Sequence, residues 1–219
     1  LSNGKYISLA DQDDWWDPNK TEKLLANIKD YDLIYCDSEF VDEKLNSLNN
    51  SSSKVKNLLS SKNPINFLID NCVSGHAALF KKELFDKSKP FPDLIPHDWW
   101  LTFIATTNNG ITYLDEPLVK YRHHQNNVIA AKKHKKAKKD RLIERKHRIE
   151  HFYKACPPSL VKEKKIISTI NDSYKNFNIV NNIKRVFVFL LHQKSLLLML
   201  KKSRFKKLIL SLNMFFKIK

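Results

Sequence analysis

Residues 6–14 read YISLADQDD, and this stretch decides the fold. Its first five residues form a short apolar run after Gly4, which predicts a β-strand, and three carboxylates then follow within four residues. On an extended chain Asp11 and Asp13 point to the same side because side chains alternate. Carboxylates this close repel one another unless a cation lies among them. The stretch therefore predicts a strand that ends in a cation site, or alternatively a polar turn whose aspartates cap the next helix.

Strand and helix patterns alternate along the rest of the first half of the chain. The segment 46–63 is rich in Asn, Ser and Lys, which predicts a mobile loop. Elsewhere the hydrophobic pattern predicts strands at 6–10, 32–37, 73–80 and 111–114 and helices over 20–28 and 99–105. This alternation indicates an α/β fold, and such sheets bind ligands at the carboxyl ends of their strands.

Charge is divided unevenly along the 219 residues. The 39 basic and 23 acidic residues give a net charge of +16, which indicates a polyanionic partner. Residues 1–129 carry 14 basic and 18 acidic side chains, whereas residues 130–219 carry 25 and 5. The change falls at the lysine-rich segment 132–139. We therefore predict a domain boundary there, with an α/β part over 1–129 and a basic helical region over 130–219.

Composition excludes several classes of protein. Hydrophobic residues make up 42% of the chain, so a core can form and general disorder is excluded. Glycine occurs only 3 times, which excludes a phosphate site built on glycine-rich loops. The 3 cysteines are odd in number and widely spaced, which favours a reducing compartment over a disulfide scaffold.

The segment HDWW, residues 97–100, is a second candidate site. A carboxylate can accept a proton from a sugar hydroxyl, and an indole ring can stack on the apolar face of a sugar. Asp98 is then a general base and Trp99 a wall of the acceptor site. The alternative is that Asp98 caps a helix while the tryptophans lie in the core. The two interpretations are compatible.

The segment YRHHQNN, residues 121–127, is a third candidate. Arg122 could pair with a phosphate and His124 could bind a metal. The alternative is a polar loop, and the absence of Cys or Glu at zinc spacing argues against a structural zinc site.

Four segments, taken in order, resemble the second half of the catalytic domain of a family 2 glycosyltransferase. They are GKYISLADQDDWWDPNKTEKL, DLIYCDSEFVDE, NCVSGHAALFKKELF and PHDWWLTFIAT followed by GITYLDEPLVKYRHHQNN. The resemblance covers roughly residues 3–128. It implies a GT-A fold, a metal-dependent inverting transfer with Mg²⁺ or Mn²⁺, and a role in bacterial capsule, O-antigen or rhamnan synthesis. His97, where many members carry glutamate, resembles the rhamnosyltransferase-like branch.

The resemblance also implies residue roles. The donor nucleotide sugar would be contacted by Asp11, Asp14 and Arg122, and the metal by Asp13 and His124. The acceptor, a saccharide or a lipid-linked oligosaccharide, would lie against Gly75, His76 and Trp99. Asp98 would remove the proton from the attacking hydroxyl, and a single displacement would invert the anomeric carbon.

One part of the family's catalytic domain has no counterpart among the motifs of this sequence. Family members begin with a strand and an aspartate that hold the nucleotide, and nothing like them precedes Leu1. The sequence thus predicts a partial, N-terminally truncated GT-A domain that is poorly stable and inactive alone. The alternative function is a catalytically inactive homologue that acts as a binding module.

The basic region suggests a surface partner. Its apolar runs at 186–191 and 196–200 are too short to span a bilayer, and residues 208–216 are flanked by lysines. This pattern is typical of helices at an anionic membrane, and it predicts a cytoplasmic protein bound peripherally at the inner face of the plasma membrane. The alternative is packing on the catalytic domain or on a partner chain. Nucleic acid is disfavoured because no aromatics interrupt the lysine run and no helix-turn-helix or finger pattern occurs.

Overall fold

The computed structural model describes residues 3–123 and 138–215. Within them one mixed sheet has the order β1-β5-β3-β6-β2, with β4 paired to β3 as a hairpin. Strands β3 and β6 are parallel and the other pairs are antiparallel. The strands are β1 (Tyr6–Ser8), β2 (Trp15–Trp16), β3 (Leu33–Val41), β4 (Ser47–Ser51), β5 (Ala78–Lys81) and β6 (Ile111–Arg122).

Short helices pack against this sheet. They are α1 (Lys20–Asn27), α2 (Ser52–Val55), α3 (Lys82–Lys87) and α4 (His97–Thr106), together with 3-10 turns at Pro64–Phe67 and Gly75–Ala77. The buried apolar residues among those described form two clusters. Leu24 of α1 is fully buried in the smaller cluster, together with Ile34 of β3 and Leu79 of β5, and Phe103 of α4 is fully buried in the larger one. The predicted α/β class is confirmed.

Strand β6 is much longer than the strand predicted at 111–114. It runs parallel to β3, and the register between the two shifts at Asp37, which lies opposite Pro117. Proline has no N–H to donate to a ladder, so it is tolerated in a strand only where regular pairing is interrupted. Because the pairing resumes at Val119, the strand continues to Arg122 and carries the chain to the edge of the predicted donor site.

The loop predicted at 46–63 is wrong over residues 47–55, which form β4 and α2, whereas residues 56–63 form no helix or strand. Asp42 accepts backbone hydrogen bonds from Lys44 and Asn46 and so closes the β3–β4 hairpin. Asp37 then accepts hydrogen bonds from the backbone N–H and the hydroxyl of Ser53, which anchors the first turn of α2. Polar side chains that satisfy backbone groups, rather than apolar periodicity, order this segment.

The strand predicted at 73–80 begins only at Ala78. The residues before it form the 3-10 turn Gly75–Ala77, in which the backbone N–H of Ala77 donates to the carbonyl of Ser74. This turn places His76 beside the end of β1 instead of within the ladder.

The C-terminal region is helical, as predicted. It contains α5 (Lys138–Ala155), α6 (Val161–Ser173), α7 (Ile179–Leu191), α8 (Gln193–Leu196) and α9 (Arg204–Leu212), followed by a 3-10 turn at Asn213–Phe215. Among the described residues, no helix is long and apolar enough to cross a membrane.

These helices share a core with the α/β part. The ring of Phe152 stacks on that of Phe103 with centroids 3.9 Å apart, and both are fully buried. The backbone N–H of Asn57 donates to the carbonyl of Met199 at 2.9 Å. The buried faces of the helices therefore pack on the sheet domain, which was one of the two expectations for this region.

Candidate active site

Pairing between β1 and β5 assembles the site. The register joins Tyr6 to Lys81 and Ser8 to Leu79 in antiparallel fashion. Continuing this register three residues beyond Ser8 places Asp11 opposite His76. The loop after β1 and the 3-10 turn before β5 thus meet at the end of the sheet.

Three potential ligand atoms converge at this point. The Oδ2 atom of Asp11 lies 3.3 Å, and the Oδ2 atom of Asp14 lies 3.0 Å, from Nδ1 of His76. One ligand atom from each residue falls within 4.8 Å of the others. Asp11 is largely exposed, whereas the side chains of Asp14 and His76 are buried. The cluster therefore has an open side at Asp11 and a closed side at Asp14.

The imidazole of His76 is held on several sides. Its Nε2 atom lies 3.1 Å from Oγ of Ser38, and its ring stacks on Tyr121 with centroids 4.9 Å apart. Burial disfavours the charged imidazole, but the adjacent carboxylates of Asp11 and Asp14 outweigh that effect and raise the pKa of His76. The hydrogen bond from His76 lowers the pKa of Asp11. These contacts fix the ring so that Nδ1 faces the carboxylates.

The donor set fits a divalent cation. Asp14 Oδ1 accepts the backbone N–H of Arg122 at 3.1 Å, but Asp14 Oδ2 is sealed from solvent and has no well-aligned hydrogen bond. The single Nδ1 of His76 has only one direction in which to donate, so it cannot satisfy both carboxylates. Burying a carboxylate oxygen without a hydrogen-bond donor destabilises the fold, unless a bound cation takes the place of the missing donor. Two carboxylates and one imidazole suit Mn²⁺ better than Mg²⁺, which prefers oxygen ligands.

A buried lysine contacts the turn that carries His76. Lys20 donates from Nζ to the carbonyl of His76 at 2.5 Å and lies 3.1 Å from the centroid of the Trp16 ring. Burial lowers the pKa of Lys20 to about 8, although nearby Asp14 opposes this shift. Lys20 therefore ties helix α1 to the turn that carries His76.

Asp98 lies on the other side of Gly75. A Cβ atom added to Gly75 would meet Nε2 of His97 at 3.1 Å and Cβ of Asp98 at 3.8 Å. Asp98 stands in the first turn of α4, where its Oδ1 accepts the backbone N–H of Trp99 at 2.6 Å. Burial raises the pKa of Asp98, and the charge of His97 opposes that shift. Asp98 thus packs against Gly75, the residue that precedes His76 of the cluster, and the missing side chain of Gly75 leaves room for this approach.

Trp99 is half-buried beside Asp98. Its indole N–H donates to the carbonyl of Phe67 at 2.6 Å, and the guanidinium of Arg148 lies 3.9 Å from its ring centroid. Helix α4 is present as predicted and Trp100 is buried in the core, but Trp99 is only partly buried and the N-cap residue is Pro96 instead of Asp98. The acceptor role of Trp99 remains a prediction.

Residues 1–88 match the model of the family described as glycosyl transferase family 2. This part of the chain, less than half of its length, is therefore similar to glycosyl transferase family 2. The chain is also 30% identical over 154 residues to the dTDP-rhamnosyl transferase RfbG of Shigella flexneri, an alignment that covers 65% of this chain and 51% of that protein. The chain spans about half the length of this curated relative. The resemblance to family 2 predicted from the motifs is confirmed over residues 1–88, as is the mixed α/β domain followed by a helical region.

The family 2 motif begins at Asp11, but the structure brings together a different set from the predicted one. Among the described residues, Asp13 does not belong to the group of ligand atoms that could share a cation. His124, the other predicted metal ligand, lies outside the described residues. The roles of Asp13 in metal binding and of Arg122 in donor binding stay predictions.

Two supports of the site, Ser38 and Lys20, are not predicted from the sequence, and His76 was predicted to lie on the acceptor side. Ser38 gave no signal because a serine near a strand end is common. His76 could have been found by pairing β1 with β5 and counting three residues beyond the ladder. Lys20 falls on the apolar side of α1, and a charged residue there was the available sign of a buried partner.

Proposed function

We propose that the protein is an inverting hexosyltransferase that moves a sugar from a nucleotide-diphosphate donor to a saccharide acceptor. The observation that supports this most strongly is the packing of Asp98 against Gly75, which directly precedes His76 of the Asp11–Asp14–His76 cluster. A base for the acceptor hydroxyl and a cation site for the donor diphosphate are required within one substrate's reach of each other.

Asp98 acts as the general base in this proposal. Burial raises its pKa, which makes it a better proton acceptor than an ordinary aspartate once it is ionised. The proton leaves the acceptor hydroxyl as its oxygen attacks the anomeric carbon, and the bond to the diphosphate breaks in the same displacement. The attack comes from the face opposite the leaving group, so the anomeric configuration inverts.

Asp11, Asp14 and His76 would hold the divalent cation, either Mg²⁺ or Mn²⁺. When bound, such a cation offsets the negative charge that develops on a departing diphosphate. The buried pair of Asp14 and His76 fixes the inner side of this site, while exposed Asp11 faces the donor. Asp13 remains the ligand implied by the family motif, and it lies on the same loop.

The donor and pathway are proposed by similarity. The relative from Shigella flexneri is named as a dTDP-rhamnosyl transferase. We therefore expect a dTDP-linked rhamnose to be the first donor worth testing, with a growing cell-surface polysaccharide as acceptor. A lipid-linked acceptor would place the enzyme in the cytoplasm, bound peripherally at the anionic inner face of the plasma membrane.

The proposal is tested by the substitution Asp98→Asn. We expect transfer to fall by a factor of about 10² to 10⁴, because the base is lost, while the affinity for the donor nucleotide is unchanged. The matched control is Asp93→Asn, an exposed aspartate on the same approach to α4. Rates would be measured with dTDP-rhamnose and Mn²⁺, and donor affinity by calorimetry.

Either of two results would contradict the proposal. One is an Asp98→Asn enzyme that transfers sugar at the rate of the Asp93→Asn control. The other is a wild-type protein that binds the nucleotide sugar but never turns it over with any saccharide acceptor, which would favour the binding-module alternative.

A further inference from the structure

Helix α9 exposes most of its large apolar side chains to solvent. Its inward side carries Leu210, which packs partly buried against the core, and Ser211, which is fully buried and donates to the carbonyl of Lys207. Its outward side carries Phe205, which is 69% exposed. The exposed large hydrophobic residues of α9 are Phe205, Leu208, Ile209 and Leu212. A surface helix normally buries its apolar side and exposes its polar side.

Helix α7 shows a second apolar face toward solvent. Its core side is already occupied, since Val188 and Phe189 are buried and Arg185 donates to the carbonyls of Met214 and Ser173. Its opposite side repeats a large apolar residue every four positions, which places them along one stripe. That stripe consists of Ile179, Ile183, Phe187 and Leu191, each more than half exposed, with Val180 beside it.

The two faces belong to neighbouring helices. Helices α7 and α9 pack against each other, and Arg185 of α7 binds the carbonyl of Met214 just after α9. Of the seventeen exposed large hydrophobic side chains among the described residues, nine lie on these two helices. Such a concentration marks an interaction surface rather than ordinary scattered exposure. We call these nine residues the apolar face.

The charge around the apolar face selects its partner. Residues 173–219 contain eleven Lys and Arg and no Asp or Glu. Lys184 on α7 and Lys206 on α9 are exposed, and Lys194, Lys201, Lys202 and Arg204 between the two helices are exposed as well. Exposed apolar side chains rimmed only by cations match the boundary between acyl chains and anionic headgroups.

A second copy of the chain fits this surface less well. Two copies joined through the apolar face would bring their all-cationic rims together with no acidic side chain to offset the repulsion. We propose that the apolar face of α7 and α9 docks the enzyme onto an anionic lipid bilayer, with Phe187 and Phe205 inserted at the headgroup level. The inference rests on the membrane association proposed above and assigns it to particular residues.

Deleting residues 183–219 would not test this cleanly. The deletion removes Phe189, Leu196 and Met199, which are buried in the shared core. The exposed residues can be changed instead without loss of core packing. The test variant is Phe187→Ser with Phe205→Ser, and the matched control is Ile143→Ser with Val161→Ser, two exposed apolar residues on α5 and α6.

The experiment measures flotation of the 219-residue chain and both variants with two kinds of vesicle. One is phosphatidylcholine alone, and the other contains one part in about three of phosphatidylglycerol. We expect binding to the anionic vesicles only, weakened at least about tenfold in the test variant and unchanged in the control. Circular dichroism confirms that both variants remain folded, and binding should fall as salt rises.

Three outcomes overturn the inference. If the wild-type chain does not bind anionic vesicles, the membrane association itself fails. If the test variant binds as well as the control, the association stands but another part of the chain, such as the lysine-rich segment 132–139, is responsible. If the chain forms dimers that the test variant dissociates and vesicles do not compete, the apolar face joins two copies instead.

Discussion

At the scale of single residues, the site depends on side chains whose environment changes their chemistry. Asp98 is an acid whose pKa is raised by burial and restrained by His97. His76 is a base whose pKa is raised by two carboxylates despite burial. Gly75 contributes by having no side chain at all, since a methyl group would press against His97. Each effect depends on a neighbour that lies far away in the sequence.

If Asp98 is the general base, as we propose, the pH dependence of transfer follows from its ionisation. A base must be ionised to accept a proton, so the rate falls as the pH drops through the pKa of Asp98. Because burial raises that pKa, the acid limb of the rate profile should lie above 3.8, the ordinary value for aspartate. His97→Gln removes a cation that favours the ionised carboxylate, and it should move the limb to still higher pH.

The measurement is kcat/KM against pH for the wild-type enzyme and for His97→Gln. Lys89→Gln serves as a control, because Lys89 is an exposed cation paired with Asp86 on another part of the surface. An acid limb that does not move in His97→Gln, or one that lies at or below 3.8, would contradict the role of Asp98.

At the scale of elements, sequence periodicity predicted what hydrophobic burial decides. Helices α1 and α4 and strands β1 and β3 were predicted near their true positions because each buries an apolar run. The β3–β4 hairpin and α2 were missed because Asp37 and Asp42 order them through side-chain hydrogen bonds. The extension of β6 was missed because it depends on pairing with β3 past Pro117. The local periodicity of hydrophobic residues does not predict contacts between segments that are distant in the sequence.

The helical region should stabilise the α/β part through Phe152. Phe152→Ala removes a ring that stacks on Phe103 in a fully buried position. We expect the free energy of unfolding to fall by about 3–5 kcal/mol. Ile143→Ala on the same helix, where the side chain is half exposed, should change it by less than about 0.5 kcal/mol.

Urea unfolding followed by both tryptophan fluorescence and circular dichroism would measure this. A single transition that shifts as a whole in Phe152→Ala is expected if the two regions share one core. Two separate transitions, with only the helical one shifted, would instead show that the predicted boundary at residues 129 and 130 divides independent folding units.

At the scale of the whole molecule, acidic and basic residues are divided between the α/β part and the helical region. The α/β part has an excess of acidic residues, among which Asp11 and Asp14 converge with His76 on a prospective cation. The helical region has a large excess of basic residues around the apolar face. The sequence revealed this asymmetry directly, since charge needs no folding to be counted. It did not reveal that Asp14 rather than Asp13 lies beside His76, because that depends on how β1 pairs with β5.

Cation binding at Asp11, Asp14 and His76 is the central claim that can be tested most directly. A Mn²⁺ titration followed by electron paramagnetic resonance measures the affinity of this site without any substrate. We expect saturable binding to the wild-type chain, weakened at least about tenfold in both Asp14→Asn and His76→Gln, since each removes one ligand. Asp86→Asn, an exposed aspartate on α3, should bind as the wild type does. Absence of a saturable site, or binding that neither Asp14→Asn nor His76→Gln weakens, would contradict the account.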